Sequence, residues 1–174
     1  MLDPAKYPIG EFDRKGSDPL TMRNSWINDI SELPAILAEK VNRLDDSQLD
    51  TRYRPEGWTI RQTVHHLADS HINSLCRFKL ALTEDSPTIR AYYEDRWAEL
   101  ADSKMPVGVS MKIIGGVHER WTALLKSMSD TDFERKMIHP ETGEWKLCEV
   151  LGLYSWHGRH HTAHIAGTIT RNGW

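Results

Sequence analysis

The sequence predicts an all-α fold, because four segments carry apolar residues at helical spacing over lengths suited to bundle helices, and Pro and Gly punctuation separates them. No low-complexity tract and no fixed-period repeat interrupts this pattern. The first segment runs from about Leu20 to Leu44. Ser17-Asp18-Pro19 supplies start signals, and Trp26, Ile27, Ile30, Leu33, Ile36, Leu37, Val41 and Leu44 form the stripe. Pro34 falls inside and predicts a kink or a restart. The second segment opens after Gly57-Trp58-Thr59 and sets Ile60, Val64, Leu67, His71, Leu75, Phe78 and Leu82 along one face, ending before Pro87. A long connection follows from Thr83 to about Val109, with a short helix expected around Glu94 to Leu100. Its length suits a crossover or a lid better than a tight turn.

The third segment spans about Ser110 to Met128. Beyond it, Asp130 to Lys146 reads as irregular, with a short turn near Asp132 and a loop or hairpin over His139-Pro140-Glu141-Thr142-Gly143-Glu144-Trp145 that could wall a pocket. The fourth segment, about Lys146 to Arg171, contains Gly152, Gly158 and Gly167. Each costs up to ~1 kcal/mol relative to Ala unless close packing or a ligand compensates, so these glycines suggest tight helix approach beside the histidines. At the front, residues 1–16 form an arm in which Tyr7-Pro8-Ile9-Gly10-Glu11-Phe12 is apolar enough to pack over the bundle.

A chain of 174 residues with 39% hydrophobic content can bury a sizeable core and is read as one domain, 1–174. The formal charge of −3, from 22 basic and 25 acidic residues, leaves no basic footprint for nucleic acid or anionic lipid. A small neutral or mixed-charge molecule is the expected partner. Cys76 and Cys148 lack Cys-x-x-Cys neighbours, which argues against a disulfide framework or thiolate zinc site and for reduced, buried thiols. The N-terminus has no basic region followed by an apolar run, and no segment approaches the ~18–20 apolar residues that span a bilayer, so the expected location is cytoplasmic.

Chemistry is concentrated in histidine. Four of the nine histidines, His157, His160, His161 and His164, lie within Trp156-His157-Gly158-Arg159-His160-His161-Thr162-Ala163-His164. A second cluster, His65-His66-Leu67-Ala68-Asp69-Ser70-His71, lies on the second segment. Histidines four apart stack on one helical face and can grip one divalent ion. Both His160/His164 and His157/His161 have that spacing, and all four fall within an arc of ~100° on the helical wheel, so spacing does not choose between the pairs. An isolated histidine on an apolar face is more often a satisfied core residue than a ligand. Several together favour a metal, because burying unpartnered imidazoles costs free energy that a metal offsets. Upstream, the apolar stripe favours His71 as the inward residue, and His65 reads as a surface residue. His66 lies off the stripe, with Asp69 about a turn away as a candidate general base or solvated carboxylate.

Gly57-Trp58-Thr59-Ile60-Arg61-Gln62, then His65-His66-Leu67-Ala68-Asp69-Ser70-His71, then His160-x-x-x-His164-Ile165-Ala166-Gly167, resemble the DinB superfamily and specifically its YfiT-like branch. Tyr7 to Phe12, Arg77 to Glu84 and Gly152 to His157 are similar as well, so the likeness covers nearly the whole chain. The resemblance implies a four-helix bundle with a long crossover connection, a homodimer, and a divalent metal, zinc or nickel, held by three histidines. The family's ligands are the histidine before Leu-Ala on the second helix and the pair spaced by four on the last. Position by position this selects His66, His160 and His164, overruling the stripe's preference for His71. His71 and His161 stand as the fallbacks.

A three-histidine site with one open position lowers the pKa of water toward ~7 and polarises carbonyls, which makes a metal-dependent hydrolase the first expectation. The same position suits a thiolate. The second expectation is therefore an S-transferase joining a bacillithiol-type thiol to an electrophile, with Trp58, Tyr154, Trp156 or Arg159 shaping the pocket. A non-catalytic, metal-stabilised dimeric bundle is the third, and the open position argues against it because structural zinc sites are usually closed.

Overall fold

The computed structural model describes Asp3–Gly16 and Asp18–Trp174. The first two residues of the arm and the start-signal residue Ser17 lie outside the described residues. Four long helices carry the molecule: α1 (Pro19–Val41), α3 (Ile60–Thr83), α5 (Gly108–Ser127) and α7 (Leu147–Asn172). Between them lie short α2 (Asp46–Leu49), α4 (Glu94–Trp97), a 3-10 turn at Ala101–Lys104, α6 (Asp130–Phe133) and an antiparallel hairpin of β1 (Lys136–His139) and β2 (Gly143–Lys146). The hairpin takes the place where a loop or hairpin was expected.

Helix α1 starts where Asp18 accepts a hydrogen bond from the Leu20 amide and Pro19 occupies the first turn. It does not restart at Pro34, which lies inside one continuous helix. Proline has no N–H to give the carbonyl four residues back, so the Ile30 carbonyl lacks its helical donor. That carbonyl accepts instead from Nδ1 of His118 on α5.

Side-chain pairings across the bundle fix its topology. Trp26 lies against Gly152 and Leu33 against Gly158, so α1 and α7 run parallel. Ser70 meets Tyr154 and His66 meets His157, so α3 runs antiparallel to α7. His65 meets Ser110 and His71 meets His118, so α3 and α5 are parallel neighbours. Two consecutive parallel helices need a connection that travels back along the bundle, and residues 84–107 provide that crossover. The remaining neighbours are α1 and α5, which leaves α1 diagonal to α3 and α5 diagonal to α7.

Several polar groups pin the crossover. Arg61, buried near the start of α3, binds Asp50 at 2.6 Å and Asp46 at 2.8 Å and donates to the Met105 carbonyl. His65 donates from Nε2 to the same carbonyl at 2.9 Å and accepts from the Ser110 hydroxyl at 2.7 Å, so it is buried rather than at the surface. At its other end, the Ile89 amide donates to the carbonyl of Ile138 in β1, and the Ile138 amide donates to the Pro87 carbonyl. The arm lies along α7: Trp156 donates to the Gly10 carbonyl, and Arg14 pairs with Glu149 at 2.6 Å.

Two apolar clusters fill the bundle. One holds Trp26, Ile27, Ile30, Leu75, Phe78, Trp121 and Leu151; the other holds Leu33, Leu37, Val64, Leu67, Ile114 and Ile165. Along each long helix the boundary between them falls at polar groups: the Ile30 carbonyl on α1, His71 on α3, His118 on α5 and His157 to His164 on α7. Histidines thus form a polar layer between two hydrophobic halves. Gly152 and Gly158 permit the close approach of α7 to α1, since an added Cβ would lie 3.0 Å from Trp26 and 2.9 Å from Leu33. A Cβ added at Gly167 would meet nothing within 4 Å among the described residues, so close approach is confined to the other two glycines. Cys148 is buried, whereas Cys76 is exposed, contrary to expectation, because it lies off the inward stripe of α3. No helix among the described residues is long and apolar enough to cross a membrane.

Candidate metal centre

Helix α3 is launched by a reciprocal cap, in which the Thr59 side chain accepts from the Gln62 amide and Gln62 accepts from the Thr59 amide, each at 3.0 Å. This start fixes the rotation of the helix and turns His66 toward α7. The preceding turn, with Glu56 at φ 59°, brings Trp58 against His66 with ring centroids 4.5 Å apart and Tyr53 onto His164 at 4.0 Å. On α7, Glu149 caps the Lys146 amide while held by Arg14, which fixes the helix that carries the histidine pairs.

His66, His157 and His161 each direct one ring nitrogen into a common volume in which the three atoms lie within 4.8 Å of one another. His66 Nε2 is 3.1 Å from His157 Nε2. His161 sits edge-on to both, with centroids 4.9 Å and 4.5 Å away, and Nδ1 of His161, like that of His160, is buried without a hydrogen-bond partner among the described residues. Behind His157, its Nδ1 is 3.1 Å from His71 Nε2, and His71 Nδ1 is 2.8 Å from His118 Nε2. His118 ends this file of rings at the Ile30 carbonyl.

Burial holds every one of these imidazoles below its ordinary pKa. His66 is pushed down to about 4 by desolvation. His71, His157 and His161 are lowered well below the usual value by desolvation first and by neighbouring histidines second, and His118 is lowered by burial. They are therefore neutral at pH 7, the form that binds a metal. Three neutral imidazoles with converging nitrogens fit a divalent cation.

The structure brings His66 together with His157 and His161. His160 and His164 pair with each other instead, their Nε2 atoms 3.0 Å apart, under Trp156 on one side and Tyr53 on the other. Three residues along an α-helix rotate a side chain by roughly 60° and raise it by roughly 4.5 Å, and this offset separates the two pairs. Asp69 lies half-buried one turn after His66, its carboxyl pushed up to about 6 by desolvation and by Asp102 of the crossover. His71 is fully buried and contacts the centre through His157. His118 was not singled out from sequence; its signal was a histidine on the inward stripe of α5 with Ile114, Trp121 and Leu125.

The DinB superfamily model matches residues 29–165. The chain belongs to this superfamily. A Bacillus cereus member named "Putative metal-dependent hydrolase" is 51% identical over 173 residues, covering 99% of this chain and 100% of its own. A Bacillus mycoides protein of the same description is 52% identical over 169 residues, covering 97% and 98%. Among solved structures, YfiT from Bacillus subtilis, described as "a probable metal-dependent hydrolase with an unusual four-helix bundle topology", matches with a TM-score of 0.95 and 48% identity over 99% of each chain. The diagonal placement of α1 and α3, with a crossover between parallel α3 and α5, is the topology of this DinB bundle.

Proposed function

We propose that this DinB protein is a metal-dependent hydrolase of a small molecule and that His66, His157 and His161 hold its divalent cation, zinc before nickel. The observation that carries the proposal is the convergence of three neutral imidazoles at one point, with the names given to the relatives in support. This replaces His160 and His164 as the proposed partners of His66. A divalent cation there supplies Lewis acidity toward water and toward a carbonyl or phosphoryl oxygen of the substrate.

The chain's own groups supply the rest. Imidazole ligands add no charge, so the cation's positive charge stays undiminished. Trp58, against His66 and within 6.1 Å of the His161 ring, walls one side of the centre and excludes water there. Tyr154, one turn before His157, places its hydroxyl 3.4 Å from both Ser70 Oγ and Arg77 Nη1, giving polar groups to a substrate beside the centre. Asp69, with a carboxyl pKa near 6, can hold and return a proton close to neutral pH.

The test is hydrolysis of an ester, amide and phosphoester panel by the zinc- and nickel-loaded protein, with and without low-molecular-weight thiols. Turnover without thiol, lost on chelation and reduced about 100-fold in Asp69→Asn at retained metal content, is expected. Activity that appears only with added thiol overturns hydrolysis in favour of transfer to a thiol.

A further inference from the structure

We infer that His71 and His118 are positioning residues that decide which nitrogen of His157 faces the metal centre, and that Pro34 supplies the fixed end from which they act. The inference rests on the ligand assignment above. It is carried by three ring-to-ring and ring-to-carbonyl hydrogen bonds that run in file from α1 to α7.

The direction of the file follows from its first member. A backbone carbonyl only accepts, so the bond between His118 Nδ1 and the Ile30 oxygen places a proton on Nδ1. His118 is neutral in its buried setting, which leaves Nε2 as a bare acceptor. His71 Nδ1, 2.8 Å from that acceptor, must carry the proton, and His71 Nε2 is then bare. His157 Nδ1, 3.1 Å from His71 Nε2, must carry a proton in turn. The lone pair of His157 is thereby assigned to Nε2, the atom that lies 3.1 Å from His66 Nε2 at the centre. A single carbonyl on α1 sets the tautomer of a ligand three rings away.

That carbonyl is available because of proline. In an unbroken helix Ile30 would accept from the amide of residue 34, and Pro34 has none. An internal proline costs helix stability, and a free carbonyl buried in the polar layer would cost more without a donor. His118 supplies the donor. The two oddities, a proline in the middle of α1 and a fully buried histidine on α5, explain each other.

Metal-ligating histidines depend on the partner of their second nitrogen, and loss of such a partner weakens metal affinity by about 10–100-fold. His118→Phe keeps a ring in the layer and removes both nitrogens, so His71 loses the acceptor that orders it. His118→Gln can restore the direction: its amide N–H donates to Ile30 and its carbonyl accepts from His71 Nδ1.

The experiment has two arms. Nitrogen-15 correlation spectra of the metal-free wild-type protein report the histidine tautomers, with His118, His71 and His157 all expected to carry the proton on Nδ1. Zinc affinity is then measured by chelator competition in folded wild type, His118→Phe and His118→Gln. The expected outcome is about tenfold weaker binding in His118→Phe and binding within about threefold of wild type in His118→Gln. A His157 proton on Nε2 in the metal-free protein overturns the inference, as does unchanged zinc affinity in folded His118→Phe. Should His118→Phe fail to fold, the wild-type tautomers decide alone. A wild-type protein that shows the expected tautomers but binds no zinc sinks the ligand assignment and leaves the order of the file standing.

Discussion

Two histidine pairs of identical spacing lie on the same helix, three residues apart, and their surroundings differ in kind. His157 and His161 face α3, meet His66, and are backed by a file of buried rings that ends on the α1 backbone. His160 and His164 face the edge of the bundle, bond to each other at 3.0 Å, and are covered by Trp156 and Tyr53 from the helix's own surface and the 51–59 turn. The i,i+4 rule gives two imidazoles one direction, but it says nothing about what waits there. A rotation of roughly 60° about the helix axis decides whether a pair finds a third ligand or only aromatic cover.

The comparison breaks most directly at the ligands. Removing one ligand forfeits roughly 3–4 kcal/mol, a quarter of the ~10–16 kcal/mol by which four-ligand structural zinc is held in zinc-finger peptides. His66→Ala, His157→Ala and His161→Ala are expected to lose stoichiometric zinc after gel filtration, whereas His160→Ala and His164→Ala retain it. The reverse pattern in metal analysis would transfer the site to the edge pair.

Acid separates the pairs less sharply. His66 and His164 both have folded-state pKa values near 4, one from each side of the comparison, against an ordinary value of 6.5. For a histidine held neutral by the fold, the unfolded chain binds the extra proton first, so stability is fully present above pH 6.5 and drains away as pH falls toward 4. For His66 alone this is on the order of 3 kcal/mol. Asp69 works in the opposite sense, since its raised pKa favours the fold below its ordinary carboxylate range and that contribution is lost as pH rises through about 6. Histidines outnumber it, and denaturant titrations of the metal-free protein from pH 7.5 to 4.5 are expected to show falling stability. Saturating zinc should shift this acid limb downward in wild type and in His164→Gln, but not in His161→Gln. A zinc shift abolished by His164→Gln would make the edge pair a participant.

Much of this was legible in the sequence. The four long helices and the crossover follow from apolar periodicity and breaker residues, and the inward turn of His66 from the likeness to DinB proteins, against the stripe's preference for His71. The choice between the two pairs did not, because it depends on how far α7 is rotated against α3. That rotation is set by the contacts of Gly152 with Trp26 and of Gly158 with Leu33 across α1, and no local pattern encodes it. The role of Pro34 was hidden for a similar reason. Its sequence meaning is a helix defect, and only the fold reveals that His118 occupies the carbonyl it leaves free.

Glycine substitutions test the same rotation with the smallest effects. Gly158 lies between His157 and His161 with its open side toward Leu33, which is buried and has little room to yield. Gly158→Ala is expected to cost about 1 kcal/mol through this overlap, lowering Tm by about 2–4 °C, and to weaken zinc binding by moving α7 away from α1. Gly167 is also helical and lies beyond His164, and a Cβ added there would meet nothing within 4 Å among the described residues. There the added methyl removes only backbone freedom from the unfolded chain, so Gly167→Ala should raise Tm by about 2–4 °C and leave zinc affinity unchanged. If both substitutions stabilise alike, α7 is not held in its rotation by close approach to α1, and the separation of the two histidine pairs must be set by the 51–59 turn and its aromatic cover instead.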